Sequence, residues 1–119
     1  GWQGEGDNGV CAGTCDGARL QTLMKDLWNK FNPNGKLVSM AGGSSPQMGA
    51  NVDLGNGTSG LGPYVSHLNI MTYDFHGNWE CSTAHQANVY GGSISIDSTI
   101  NMYLGEGFPA SKLVVGIPF

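Results

Sequence analysis

Leu68 to Glu80, LNIMTYDFHGNWE, gathers the side chains best suited to chemistry in this 119-residue chain. An apolar run ends in Tyr73-Asp74, turns through Phe75-His76-Gly77 and reaches Trp79. That order sets a hydroxyl donor, a carboxylate and an aromatic plane on one rim, which suits a carbohydrate: sugars stack an apolar face on tryptophan, and acidic groups act beside a scissile glycosidic bond. Spacing alone also allows Tyr73 as a core tyrosine, Asp74 as a turn former and Trp79 as a packing residue. His76 reads as a loop-ordering residue rather than a base, and His67, in the apolar run, as a structural histidine. His85, Asn88 and Tyr90 follow Trp79 in a long loop, where they either edge a cleft or simply build the loop. Trp28 belongs to a helix's core stripe, and Trp2 to a rim loop.

Other chemistries find little support. Gly4 to Gly9 and Gly55 to Gly60 both satisfy G-x-G-x-x-G. Neither follows a strand and opens a helix, as a dinucleotide fold requires, and the first would set Glu5 and Asp7 against a pyrophosphate. Cys11 and Cys15 are spaced for a small loop disulfide that would leave Cys81 over, and no cysteine or histidine spacing matches a zinc site. Asn56-Gly57-Thr58 is a glycosylation sequon or a plain turn. Net charge is −4, from five Lys+Arg against nine Asp+Glu. With no basic track for a phosphate backbone, nucleic acid is excluded as a main partner. No apolar run approaches the roughly 18 residues of a membrane helix, and no cofactor motif is present.

The elements that would position the rim follow from periodicity. Residues 1–16 carry no pattern and read as an irregular loop. Asp16 is then the expected N-cap of a helix in which Leu20, Leu23, Met24, Leu27, Trp28 and Phe31 fall on one face, stopped by Pro33 and Gly35. Lys36 to Ala41 (KLVSMA), His67 to Tyr73 (HLNIMTY) and Lys112 to Ile117 (KLVVGI) read as strands buried on both faces. Residues 42–62 are polar and loop-like. Asp74 to Ser95 is a loop long enough to suggest a function. Asp97 is the expected cap of a second helix with Ile100, Tyr103 and Leu104 inward, ended by Gly105 and Gly107. Strands too apolar to be half exposed, alternating with helices, predict an α/β fold with a parallel sheet. Twenty glycines in 119 residues, against a usual share of about 7 %, make the chain rich in loops. Three parallel strands do not close an architecture, so the chain reads as cut at both ends. In a (β/α)8 barrel, Tyr73-Asp74 would sit on the face where such barrels keep their chemistry.

LNIMTYDFHGNWE resembles the sixth-strand motif of family 18 glycoside hydrolases, the chitinases, whose pattern is Met-x-Tyr-Asp followed by a short loop and Trp. Ile100 to Phe119 (INMYLGEGFPASKLVVGIPF) resembles the helix and seventh strand of that family, and the first helix with KLVSMA fits the helix after strand four and strand five. The likeness is strongest over residues 67–80 and 97–119. It implies an α/β fold, part of a TIM (β/α)8 barrel from roughly the loop after strand 4 through strand 7, with residues 1–119 a single fragment of a secreted catalytic domain. It implies that the parent hydrolyses β-1,4-linked N-acetylglucosamine polymers by substrate-assisted retention, an exception to the two-carboxylate rule, with chitin as partner and no cofactor or metal. Carried over by position, Tyr73 would donate to the acetamido oxygen, Asp74 would bind and help distort the same sugar, Met71 would line the pocket floor, and Trp79 would stack a sugar on the leaving-group side. The family's acid closes an Asp-x-x-Asp-x-Asp-x-Glu motif that this sequence lacks; Glu5, Glu80 and Glu106 are its glutamates, and none has that pattern upstream. The chain alone is therefore expected to be inactive. A chitinase-like lectin, binding chito-oligosaccharides without catalysis, and an unrelated small α/β domain are the alternatives.

Overall fold

A computed structural model describes residues 15–46, 49–50 and 52–119. Its elements arise where the apolar periodicity is strongest. Helix α1 spans Cys15–Phe31, a short 3-10 turn follows over Asn32–Asn34, and Gly35 ends it in the left-handed region (φ 70°) with its N–H on the Asn32 carbonyl. Strand β1 is Ser39–Gly42, β2 is His67–Ile70, helix α2 is Ile96–Gly105 and β3 is Leu113–Val115. The three strands form one parallel sheet in the order β1-β2-β3, with Met40 beside Leu68 and Leu68 beside Leu113. The predicted α/β class and parallel pairing are both present. No helix among the described residues is long and apolar enough to cross a membrane.

The core gathers on one face of the sheet. Leu68 and Ile70 of β2 pack with Met24 of α1, Tyr103 of α2 and the connecting residues Val38, Val52, Leu54, Leu61, Val65 and Phe108. Tyr103 and Phe108 meet edge to face, ring centroids 6.0 Å apart. The Tyr103 hydroxyl donates to the Gly43 carbonyl at 2.7 Å, fixing α2 to the chain just past β1. Burial pushes this phenol's pKa up. Lys112 ties the second connection: its ammonium donates to the Gly62 and Val65 carbonyls, both at 2.8 Å, and lies 5.6 Å from the Trp28 ring centroid.

Several expectations are corrected. Burial on both strand faces is not what the sheet shows: β2 alternates, with Leu68 and Ile70 buried and Asn69 exposed, and Val114 and Val115 of β3 are exposed. Among the described residues, helices and connections cover one face of the sheet, and the apolar run cannot report that. Helix α1 begins at Cys15, so Asp16 lies in its first turn rather than capping it. The cap of α2 is Ser95, whose hydroxyl accepts from the Ser98 N–H while the Ser98 hydroxyl accepts from the Ser95 N–H. This reciprocal box satisfies two donors, and Asp97 joins the first turn where a negative charge suits the helix dipole. Leu23, Phe31 and Leu104 face outward. The buried arc of α1 centres on Gly17 and Met24; Leu23 stands about 100° round from Met24, Leu104 stands likewise to Tyr103, and Phe31 is the last helical residue. KLVSMA pairs only from Ser39 onward, because Lys36 still donates to the Phe31 carbonyl at the helix end. HLNIMTY leaves the ladder after Ile70, and KLVVGI pairs over Leu113–Val115. The Cys11–Cys15 bridge, Trp2 and the first glycine signature fall outside the described residues. In the second signature Gly60 and Gly55 pack backbone against backbone, and Asp53 accepts from the Gly55 N–H and the Ser59 hydroxyl. That loop is built around a carboxylate, which no phosphate would share.

Candidate functional site at the end of the middle strand

Past Ile70 the chain stays beside its neighbours for a few residues. Met71 N–H donates to the Gly42 carbonyl and Gly116 N–H to the Ile70 carbonyl, each at 2.9 Å. Thr72 is fully buried and its hydroxyl donates to the Gly116 carbonyl at 2.7 Å. Strand alternation then puts Met71 and Tyr73 on the face of Asn69, opposite the core, and both are half-buried. The Tyr73 ring leans on Gly116: a Cβ there would stand 2.7 Å from Tyr73 Cε1 and 2.6 Å from the Ile70 carbonyl oxygen. A glycine in β3's apolar run is thus a seat for the site's tyrosine, as a glycine inside a strand often marks close approach. Sequence reasoning passed over Gly116 and Thr72, although the glycine was its own signal.

Asp74 takes the next step in an unusual conformation. It is exposed, and at φ 56° it is the only non-glycine among the described residues with positive φ. Aspartate tolerates the left-handed region better than most residues, and such outliers cluster at functional sites. Asp74 is left exposed while Phe75, immediately after, is buried. Phe75 N–H donates to the Gln86 carbonyl at 2.9 Å, closing the long loop on itself.

Trp79 stands on that loop, 65 % exposed. His76 Nδ1 and Glu80 Oε2 share a hydrogen bond of 2.7 Å across it. This is the loop-ordering role expected of His76, with Glu80 as the unforeseen partner. A groove of about 320 Å³ runs alongside, lined by His76, Asn78, Glu80, Cys81 and their neighbours, and Cys81 is an exposed free thiol. Met71, Tyr73 and Asp74 are brought together on the strand's end; Trp79 rises from the adjoining loop against Gly77. Asn88 serves the loop itself: its amide nitrogen donates toward the Tyr90, Gly91 and Ile94 carbonyls at 3.2, 2.6 and 3.0 Å. His85 and Tyr90 are exposed on the same stretch. Among the described residues no three His, Cys, Asp or Glu side chains gather as a metal site.

Tyr73 and the positive-φ Asp74 follow the end of the middle parallel strand, and the exposed Trp79 indole stands on the loop just after them. The family model described as Glycosyl hydrolases family 18 matches residues 2–119. The chain belongs to that family. Among relatives of this family 18 chain, Probable chitinase 10 of Drosophila melanogaster is 33 % identical over 80 % of it, a stretch that is 4 % of the fly protein. Chitotriosidase-1 of Mus musculus is 28 % identical over 98 % of it and 27 % of the mouse protein. The crystal structure of the Group IV chitinase of Ostrinia furnacalis superposes on 99 % of the chain with a TM-score of 0.84 and 26 % identity, over 33 % of that structure. The family 18 chain therefore spans a third or less of each of these proteins, and its α/β architecture is that of a TIM-barrel family.

Proposed function

We propose that residues 1–119 are part of the catalytic domain of a secreted chitinase, from the loop after strand four through strand seven of a (β/α)8 barrel. In this reading β1, β2 and β3 are barrel strands five, six and seven. The protein cleaves β-1,4-linked N-acetylglucosamine polymers. The observation that carries the reading is Asp74, in a left-handed conformation directly after Tyr73 at the C-terminal end of the middle parallel strand, the end where such barrels keep their chemistry.

The reaction is substrate-assisted. The sugar's own acetamido oxygen attacks the anomeric carbon, the glycosidic carbon–oxygen bond breaks, and the leaving oxygen takes a proton from a glutamic acid. Water then opens the oxazolinium and returns the proton to the glutamate, leaving the anomeric configuration unchanged. Tyr73 donates a hydrogen bond to the acetamido oxygen as the ring closes. Asp74 holds the same sugar in a distorted shape, Met71 lines the floor, and Trp79 stacks a sugar beyond the cleaved bond. None of Glu5, Glu80 and Glu106 follows the aspartate pattern of the family's acid motif, so in this reading the acid is supplied by the rest of the protein.

The names of the relatives support a hydrolase over a chitin-binding lectin, and the Ostrinia furnacalis protein was also crystallised in complex with allosamidin. The complete protein, incubated with chitohexaose and followed by proton NMR, is expected to release shorter oligomers whose new reducing ends first appear as the β anomer. Absence of cleavage would leave the lectin; α-configured first products would rule out retention.

A further inference from the structure

Gly77 lies between the His76 clamp and the Trp79 indole, and the reason for a glycine there is not its backbone. Its φ is outside the left-handed region, so any L-residue could adopt the conformation. What forbids a side chain is the neighbour: a Cβ at position 77 would overlap Cζ3 and Cη2 of Trp79 and stand 2.8 Å from Cε3. The six-membered ring of the indole therefore rests against the bare Cα.

The turn that brings the ring back is closed twice. Glu80 N–H donates to the Gly77 carbonyl at 3.2 Å, and the Glu80 carboxylate reaches His76 at 2.7 Å, where the imidazole is only 15 % exposed. Behind His76 the chain is anchored by buried Phe75 and its bond to Gln86. Trp79 is thus an exposed ring on a braced support. A ring already in its binding pose has less conformational freedom to lose when a ligand stacks on it.

We propose that Gly77 and the His76–Glu80 clamp are positioning residues that set the pose of the Trp79 indole, and through it the affinity for extended chito-oligosaccharides, without touching the sugar. The inference rests on Trp79 being the sugar platform of the proposed function. It separates two parts of the rim: Tyr73 and Asp74 act on the sugar that reacts, whereas the 76–80 turn governs how much longer substrates gain from reaching past the cleaved bond.

The test is kinetic, in the complete catalytic domain. Gly77→Ala is expected to raise KM for chitohexaose roughly two- to tenfold, the range of an aromatic stack, and to leave a short fluorogenic substrate unaffected. In a Trp79→Ala background the same change should add nothing, because the two substitutions remove one interaction. Glu80→Ala should raise the chitohexaose KM by a smaller factor, and Glu80→Gln, which keeps an oxygen for His76, should restore it. Thermal melts identify any variant that loses the fold, and the Glu80 pair then carries the test. An unchanged chitohexaose KM in Gly77→Ala, or a loss that persists in the Trp79→Ala background, overturns the inference and leaves the platform standing. If Trp79→Ala itself binds chitohexaose normally, the platform reading fails, and the inference falls with it.

Discussion

Tyr73 is wedged against Gly116, whereas Trp79 stands 65 % exposed over Gly77, and that difference decides how each substitution should read. Phenylalanine at 73 keeps the ring in its seat and removes only the hydroxyl, in the proposed reading a donor aimed at charge that develops in the transition state. In the complete protein Tyr73→Phe is expected to lower turnover by about 10²-fold, roughly 2.7 kcal/mol, with substrate binding little changed. Steady-state kinetics and a melt on the same preparation check this: normal turnover with lowered stability would make Tyr73 a packing residue. Trp79→Ala should behave otherwise, because in the same reading it is a platform beyond the cleaved bond and contributes uniform binding. Its stack is worth about 0.5–1.5 kcal/mol if the aromatic-pair scale holds for a sugar face. KM should rise on long oligomers and stay normal on substrates that stop short of the subsite; equal losses on both would assign Trp79 to the loop.

Among the elements, α2 is fastened to the chain past β1 by two buried hydroxyls, Thr99 on the Ser44 carbonyl at 3.3 Å and Tyr103 on the Gly43 carbonyl at 2.7 Å. Tyr103→Phe keeps the ring against Phe108 but leaves the Gly43 carbonyl without its donor at 2.7 Å, a loss of about 1–3 kcal/mol. The penalty should depend on pH. Burial holds the folded phenol's pKa above its ordinary value, so above a pH of about 10 the unfolded chain loses this proton first and stability falls as pH rises. Phenylalanine has no such proton, so the gap in melting temperature between wild type and Tyr103→Phe should narrow from pH 9 to pH 11; a constant gap would show that Tyr103 ionises alike in both states. Tyr103 was legible in the sequence as an inward residue of α2, as were the order of strands and helices and their parallel pairing, because each rests on a local period. The middle strand was legible for the same reason, though its pairing ends at Ile70, three residues before Tyr73. Which faces are covered was not, since an apolar run is the same string whether one side or both are buried, and Leu23 and Leu104 sit at the margins of their helical stripes. Nor were the supports of the site: Gly116 reaches Thr72 across 44 residues, and the Gly77–Trp79 contact exists only once the turn has closed.

The sheet as a whole is open where a barrel of this family would be closed. With the order β1-β2-β3, both β1 and β3 lie at an edge, and the face opposite the core carries exposed Ala41, Asn69 and Val114 in register. Val114, Val115 and Ile117 are 45, 40 and 68 % exposed, and Leu37 76 %. Parallel strands are ordinarily covered on both faces, and bare edges with apolar side chains invite pairing between chains. In the proposed reading the missing cover is the rest of the barrel, which also brings the glutamic acid and the far wall of the sugar groove. On that reading the 119 residues produced alone should associate as concentration rises, show a broad melt rather than a sharp one, and release no chito-oligosaccharide, because the proton donor and the far wall of the groove come from the rest of the protein. Light scattering, calorimetry and a chitohexaose digest on one preparation test this together. A monomer with a cooperative transition would show that one covered face suffices for folding and would weaken the barrel-segment reading. Sustained hydrolysis by that monomer would go further, placing the acid within these residues and removing the reason for assigning it elsewhere.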